Sequence, residues 1–427
     1  MTYFAQYAWV GGTVARDVRI EIEDGRFAAV TPGSAPTGTL LPGLVLPGLA
    51  NAHSHAFHRA LRGRTHADRG SFWTWRELMY EVAGRLDPDS YFTLARAVYG
   101  EMALAGITCV GEFHYLHHGP DGTPYADANA MGHALIEAAR EAGIRITLLD
   151  AVYLTSGVDG KPLEGVQRRF GDGDYDGWAA RFDGLRASAG VKIGAALHSV
   201  RAVPVDGMAT FAHRTDGLPV HVHLSEQRAE NEQCQAVHGC SPAELLDSMG
   251  VWQPMTTAVH ATHLSPADLR ILGDQHVCLC PSTERDLADG IGPARALADA
   301  GARLSLGSDS QAVIDLFEEA RGVELDERLA TERRGHFTAA ELLTAATATG
   351  HAALGWDDAG TIAAGRRADL VAVSLESVRT AGVDPAGLVF AATAADVTHV
   401  VADGRLIVDG GRHTAFDVPA ALREALT

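Results

Sequence analysis

Short apolar segments alternate with helix-like segments through the middle of the chain. The apolar segments have the length and β-branched content of buried strands, and they cover residues 44–49, 107–113, 145–152, 191–197, 219–224, 257–260, 276–280 and 303–306. Helical spacing appears between most of them, as in residues 91–105, 130–142, 242–249 and 294–300. Eight such alternations over about 260 residues predict an α/β fold, a parallel (β/α)₈ barrel of the TIM type. A doubly wound sheet, by contrast, would place a glycine-rich phosphate turn after the first strand, where this chain has Asn-Ala-His-Ser-His at residues 51–55.

Both ends of the chain have a β-rich pattern instead. Residues 18–22 and 26–30 flank an Asp-Gly turn, and residues 398–402 and 405–408 flank another, with a further apolar segment at 368–373. Asp-Gly between alternating segments is a hairpin signal. We therefore expect a small β-sandwich domain built from residues 1–48 and 360–427, and a barrel domain over residues 49–359.

Composition narrows the classes of partner. The 427 residues contain 35 Lys and Arg against 54 Asp and Glu, a formal net charge of -19, which disfavours nucleic acid and anionic membranes as general partners. Five cysteines do not form a disulfide framework. No apolar run reaches about 18 residues, and residues 1–16 lack a signal-peptide pattern. We therefore expect a cytoplasmic protein, in which an anionic substrate would need positive charge supplied locally.

Histidines and carboxylates are concentrated where the predicted strands end. His53 and His55 follow the first strand and, two residues apart in an extended chain, point to the same side. His223 follows the fifth strand and Asp309 the eighth. Three imidazoles and one carboxylate are a ligand set typical of a catalytic Zn²⁺ with an open position for water. A purely structural interpretation is a solvated His-x-His strand edge, with Asp309 as a helix N-cap.

Two further groups are candidates for proton transfer. Glu226 lies three residues after His223, and His260 ends the sixth strand. We expect Glu226 to carry a proton to the substrate nitrogen, His260 to stabilise a developing oxyanion or pass a proton, and Asp309 to take one from water. A surface glutamate and a core histidine are the structural interpretations of the first two. We expect the nearby His117 and His118 to be solvated.

This arrangement, with residues 365–371 (Gly-Arg-Arg-Ala-Asp-Leu-Val), resembles the mononuclear branch of the amidohydrolase superfamily. The resemblance implies hydrolysis or deamination of C–N bonds with one Zn²⁺, or Fe²⁺ as in some members. Residues 51–57, 71–80, 112–118, 167–170 and 198–203 are similar, more narrowly, to the formimidoylglutamate deiminases. That similarity implies hydrolysis of N-formimino-L-glutamate to N-formyl-L-glutamate and ammonia, a reaction of histidine degradation.

The same resemblance assigns a substrate site. It implies that Arg76, Tyr115, His198 and Arg201 hold a small dicarboxylate, and arginine is suited to this because its planar fork binds carboxylates bidentately. His58 departs from the family pattern, in which we expect glutamine at this substrate-contacting position. Imidazole differs from an amide in reach and charge, so a different formimino or guanidino acid is a second candidate substrate.

Two further functional classes are compatible with the barrel and its histidines. An amidohydrolase that deaminates a heterocycle would not need two arginines, and a non-catalytic barrel would not need Glu226 and His260. A binuclear site is disfavoured because related binuclear enzymes carry a bridging lysine at the end of strand four, whereas Lys192 starts that strand and Lys161 lies in a loop. The family also allows a homodimer, for which the sequence offers no interface signature.

Overall fold

The computed structural model describes residues 1–66 and 72–426. Ser71, the first residue of the motif at residues 71–80, therefore lies outside the described residues. The strands are β1 (Thr2–Val10), β2 (Thr13–Glu23), β3 (Arg26–Thr31), β4 (Thr39–Pro47), β5 (Leu49–Ser54), β6 (Ile107–His114), β7 (Arg145–Val152), β8 (Val191–Leu197), β9 (Val220–Leu224), β10 (Thr256–His260), β11 (His276–Leu279), β12 (Arg303–Leu306), β13 (Leu370–Val373), β14 (Val397–Ala402), β15 (Arg405–Asp409) and β16 (Arg412–His413).

The α-helices lie mainly between the barrel strands. They are α1 (Phe72–Arg85), α2 (Pro88–Leu104), α3 (Ala130–Ala142), α4 (Tyr175–Phe182), α5 (Val205–Arg214), α6 (Arg228–His238), α7 (Pro242–Ser248), α8 (Pro266–Ile271), α9 (Pro281–Asp286), α10 (Ala294–Asp299), α11 (Leu316–Thr331), α12 (Ala339–Thr344), α13 (Gly350–Ala353) and α14 (Val418–Leu426). A 3₁₀ helix, Ala56–Leu61, follows β5. None of the described helices has both the length and the apolar character needed to cross a bilayer.

Strands β5 to β12 form a parallel sheet in sequential order, and this sheet closes on itself. Closure occurs where Ser54 pairs with Asp309: the amide of Asp309 donates to the carbonyl of His53 at 3.0 Å, and the amide of His55 donates to the carbonyl of Asp309 at 3.2 Å. Strands buried on both faces read as near-continuous apolar runs. The predicted (β/α)₈ barrel is confirmed.

The predicted first strand was wrong in its bounds. Residues 44–47 belong to β4 in the second sheet, and the barrel strand β5 begins at Leu49. The chain passes from one sheet to the other at Gly48, where a Cβ atom would lie 2.6 Å from Cβ of Asp369 and would also meet Thr108. The crossing falls at Pro47-Gly48, a dipeptide that marks breaks between elements, and this signal could have divided the apolar run. As a result His53 lies within the barrel strand.

The second sheet contains both ends of the chain, as predicted for the small β domain. Its order is β16-β15-β14-β13-β4-β1-β2-β3, and it has its own apolar core around Ile20, Phe27 and Leu370. The buried Arg145 of β7 ties this sheet to the barrel, because its Nη1 donates to Oδ1 of Asp369 and to Oδ1 of Asp403, both at 2.9 Å.

Candidate metal centre and active site

The barrel brings four of the predicted site residues to one point at the carboxyl ends of its strands. Nε2 of His53 lies 3.1 Å from Nε2 of His223. Oδ1 of Asp309 lies 3.4 Å from Nε2 of His53 and 3.3 Å from Nε2 of His55. All four side chains are buried. We call His53, His55, His223 and Asp309 the central cluster.

Hydrogen bonds fix which ring nitrogens face this point. Nδ1 of His55 lies 2.9 Å from the carbonyl of Phe113, and Nδ1 of His223 lies 3.0 Å from the carbonyl of His198. Since a carbonyl only accepts, both Nδ1 atoms carry hydrogen and both Nε2 atoms present lone pairs inward. Two lone pairs and a carboxylate oxygen thus converge beside His53. This set repels itself unless a proton or a cation lies among its atoms.

The donor set fits a tetrahedral metal ion. Ligand atoms about 2.0–2.2 Å from a Zn²⁺ ion in tetrahedral geometry lie about 3.3–3.6 Å from one another. The His53–His223, His53–Asp309 and His55–Asp309 separations are 3.1, 3.4 and 3.3 Å. Backbone carbonyls bonded to the far ring nitrogens are the usual way in which protein metal sites orient their histidines. The central cluster is therefore compatible with one metal ion.

The cluster's electrostatics favour an ionised Asp309 and neutral ligand histidines. Burial alone would raise the pKa of Asp309, but the hydrogen bond with His53 and the neighbouring histidines hold that pKa well below its usual range. Burial lowers the pKa of His223, and the adjacent His198 and His53 lower it further. A metal requires this combination of protonation states from its ligands.

His260 lies between the central cluster and the candidate acid Glu226. Its Nε2 is 3.8 Å from Oδ2 of Asp309 and 3.9 Å from Oε1 of Glu226, and its Nδ1 is 3.4 Å from Oε1 of Glu284. Burial would lower the pKa of His260, but Glu226, Glu284 and Asp309 together raise it well above its usual value. These three carboxylates therefore favour the protonated form of His260 at the edge of the cluster.

The backbone at this edge is strained. His260 has a φ of 69°, Ser225 of 50° and Asp309 of 39°, in the left-handed region that non-glycine residues seldom adopt. Such conformations cost about 1–3 kcal/mol each and are concentrated at functional sites. Here they belong to residues that end or follow barrel strands, and two of them, His260 and Asp309, belong to the candidate site.

A cavity opens in front of the central cluster and contains the predicted substrate residues. Nε2 of His58 lies 2.8 Å from the Tyr115 hydroxyl, and His198 packs its ring edge-on to Tyr153. The lining, which joins cluster atoms to aromatic rings and two arginines, consists of His55, His58, Trp75, Arg76, Met79, Tyr80, Tyr115, Tyr153, Phe170, His198, Arg201, His223, Glu226, His260, Leu287 and Asp309. Each predicted substrate contact therefore faces the same space.

The two arginines stand at the mouth of this cavity. Arg76 and Arg201 line both the inner cavity and a wider outer cleft of about 570 Å³. The guanidinium of Arg76 lies over the ring of Tyr80, 5.5 Å from its centroid. Arg201 forms an ion pair with Glu230. The two arginines therefore place guanidinium groups in the lining of the cavity that also contains His55, His223 and Asp309 of the central cluster.

Comparison with known proteins agrees with this geometry. The profile of the Amidohydrolase family matches residues 44–407. The chain belongs to the amidohydrolase family. It is 39% identical to the formimidoylglutamate deiminase of Pseudomonas aeruginosa over 96% of this chain and 95% of that protein.

Solved structures of similar proteins share the whole architecture. An amidohydrolase from Brucella melitensis is 33% identical, with a TM-score of 0.90 over 100% of this chain and 98% of that one. An adenosine deaminase from Xanthomonas campestris, solved with bound zinc, is 26% identical, with a TM-score of 0.84 over 99% of this chain and 96% of that one.

Three carboxylates of this amidohydrolase site were not anticipated from the sequence. Glu230 pairs with Arg201, Glu284 faces His260, and Glu112 accepts hydrogen bonds from the Ser54 hydroxyl and the amide of Ala56. Glu112 lies at the end of a predicted strand, and that position could have identified it as a candidate site residue. Glu230 and Glu284 lie on helices, where a glutamate is usually solvated, and only the fold reveals their burial.

The interpretation of His117 and His118 as solvated was wrong. Both are buried. The chain after β6 packs against the segment that carries Arg169, and the carbonyl of Arg169 accepts hydrogen bonds from the amides of both histidines. His114, His117 and Asp150 form a second group of potential metal ligands, which we call the second cluster.

Proposed function

We propose that this amidohydrolase is a metal-dependent deiminase that hydrolyses N-formimino-L-glutamate to N-formyl-L-glutamate and ammonia. The observation that carries the proposal is that two arginines line the same cavity as His55, His223 and Asp309 of the central cluster. A molecule that carries both an amidine and carboxylates suits a cavity with these two kinds of group. The deiminase relative, at 39% identity over nearly the full length, supports the same substrate.

We assign the metal to the central cluster, with His53, His55, His223 and Asp309 as ligands. Zn²⁺ is the proposed ion because the donors are three imidazoles and a carboxylate, and Fe²⁺ is the second candidate. When bound, the ion would act as a Lewis acid and make water nucleophilic near neutral pH.

The side chains around the cluster divide the proton transfers. Asp309 takes a proton from the attacking water as its oxygen bonds to the formimino carbon. Glu226 delivers this proton, relayed through His260, to the terminal nitrogen. The hydroxyl left on the carbon then gives up its proton by the same route, so that the C–N bond breaks, the nitrogen leaves as ammonia and the carbon becomes a formyl group. His260, which lies between Asp309 and Glu226, exchanges a proton with either carboxylate and, when protonated, stabilises the negative charge that develops.

The far end of the cavity orients the substrate. Arg76 and Arg201 pair with its carboxylates, while Tyr115 and His198 donate or accept hydrogen bonds along its length. His58 forms a hydrogen bond with the Tyr115 hydroxyl and so helps to position that substrate contact. Holding the amidine in place in this way can contribute several kcal/mol to catalysis, about 7 or more in favourable cases. By the same resemblance, the reaction would serve histidine degradation.

A substrate comparison tests the proposal. Ammonia release would be measured for N-formimino-L-glutamate, for N-formiminoglycine, which lacks the distal carboxylate, and for adenosine. We expect kcat/KM for the dicarboxylate to exceed that for either other compound by at least about 100-fold, the effect of losing a charged pair worth about 3 kcal/mol. Preferential turnover of adenosine would instead support a heterocycle deaminase and overturn the proposal.

A further inference from the structure

Glu230 is a buried carboxylate for which the proposed reaction has no direct use. It lies in the first turn of α6, and its side chain is fully buried. Oε2 lies 2.8 Å from Nε of Arg201, and Oε1 accepts a hydrogen bond of 3.0 Å from the amide of Ser225. Burying a carboxylate is costly unless it is paired. These contacts fix Glu230 between the end of β9 and the loop after β8.

Arg201 faces two carboxylates at different distances. Its Nη2 lies 3.6 Å from Oε2 of Glu226, farther than its Nε lies from Glu230. The terminal nitrogens of Arg201 donate no hydrogen bond within the described ranges, 1–66 and 72–426. Attraction between charges grows as distance falls. Without Glu230, Glu226 would be the carboxylate left to attract the guanidinium.

We propose that Glu230 is a positioning residue for substrate recognition: it holds Arg201 by Nε at 2.8 Å, so that the guanidinium lines the cavity and its Nη2 stays 3.6 Å from Glu226 instead of closing onto that carboxylate. Arg201 is then preorganised for one substrate carboxylate, and Glu226 keeps its side chain near His260. Because Glu226 directly follows Ser225, the hydrogen bond from the Ser225 amide to Glu230 also helps to position Glu226. This inference rests on the proposed function for the identity of the carboxylate-bearing ligand.

Binding can be tested apart from turnover. The probes are N-formyl-L-glutamate, a dicarboxylate that the proposed reaction does not consume, and N-formylglycine, its monocarboxylate counterpart, each measured by calorimetry. Glu230→Gln keeps an oxygen for the Ser225 amide but loses the charge. We expect it to weaken binding of the dicarboxylate at least tenfold and binding of the monocarboxylate less than twofold. Glu232→Gln, an exposed position on the same helix, should change neither.

A double-mutant cycle separates positioning from general damage. If Glu230 acts through Arg201, Glu230→Gln should weaken dicarboxylate binding less than twofold in an Arg201→Met background. Equal weakening of both probes, additive effects in the cycle, or unchanged dicarboxylate binding by Glu230→Gln would overturn the inference. So would wild-type protein that does not bind the dicarboxylate.

Failure of a variant to fold, and failure of the proposed function, can each be distinguished from failure of the inference. If Glu230→Gln does not fold, Glu230→Asp retains the charge at shorter reach and should still lose dicarboxylate binding selectively. If wild-type protein binds N-formyl-L-glutamate in a Glu230-dependent way but releases no ammonia from N-formimino-L-glutamate, the proposed function fails and the positioning role stands.

Discussion

The central cluster and the second cluster contain the same residue types, yet they are prepared for different tasks. In the second cluster, Nε2 of His114 lies 3.3 Å from Nδ1 of His117. Arg181 contacts both oxygens of Asp150, at 2.6 and 3.0 Å, and the Trp178 indole donates to the same carboxylate at 3.0 Å. Its carboxylate is thus already neutralised, and a second cation beside it would be repelled.

The central cluster differs in the partners of its carboxylate. Oδ1 of Asp309 faces two imidazole nitrogens. His55, His223 and Asp309 line the substrate cavity, whereas none of the three residues of the second cluster does. Histidine and aspartate in proximity are therefore not enough to predict a metal site. What distinguishes the central cluster is a carboxylate paired with histidines rather than bonded to an arginine, together with access for a ligand.

Removing a central ligand should have the largest effect. His223→Ala is expected to lower bound metal from about one equivalent to less than about 0.1, and to lower kcat more than about 10³-fold, because the activated water is lost with the ion. Metal analysis and ammonia release measure the two effects. His117→Gln, in the second cluster, is the matched control and should retain both. Equal metal loss in the control would erase the distinction between the clusters.

The second cluster should matter for stability instead. Arg181→Met leaves the carboxylates of Asp150 and Asp172 buried without their cation, which is expected to cost about 3–5 kcal/mol in the free energy of unfolding. Denaturant unfolding of the metal-loaded protein measures it, with Arg140→Met, at an exposed position, as the comparison. Bound metal per folded molecule should not change. A loss of metal with no loss of stability would contradict the structural role of Arg181.

Acid should destabilise the second cluster through its histidines. Burial holds the pKa of His117 well below its usual value, and Arg181 lowers it further. The unfolded chain therefore binds a proton near pH 6.5 that the folded protein does not, so stability falls as pH decreases below that value. Below about pH 6, His117→Gln should reduce the pH slope of the unfolding free energy by about 1.4 kcal/mol per pH unit. An unchanged slope would show that His117 accepts a proton in the folded state.

His58→Gln should have the smallest effect. The side chain makes one hydrogen bond in the described structure, to Tyr115, and glutamine can replace it. A neutral hydrogen bond contributes about 0.5–1.5 kcal/mol, so kcat/KM for N-formimino-L-glutamate should change less than about tenfold. Steady-state kinetics on the metal-loaded variant would check this. A gain of more than about 100-fold would mean that His58 selects a different acid.

Much of the organisation of the central cluster could be predicted from the sequence, because one geometric rule fixes where the strands of a parallel barrel end. Parallel strand ends meet at one face, so His53 and Asp309, more than 250 positions apart but both placed at strand ends, were expected to lie near each other. The alternation of buried strands with helices was sufficient for that. No packing detail was needed.

Pairings that depend on packing could not be predicted in the same way. Glu230 and Arg201 lie on separate segments after different strands, and nothing local marks their ion pair. The burial of His117 depends on the loop that carries Arg169, and the bounds of the first strand depend on the close approach of Gly48 to Asp369. Each of these features depends on contact between distant segments, which hydrophobic periodicity does not predict.

A metal titration followed by activity tests the central claim most directly. Metal-free protein would be titrated with Zn²⁺ while ammonia release from N-formimino-L-glutamate is measured at each step. The account predicts that activity rises to a single break at one equivalent, with kcat/KM above about 10⁴ M⁻¹s⁻¹, and that a chelator reverses it. A break at two equivalents, or no ammonia release from protein carrying one bound metal, would contradict it.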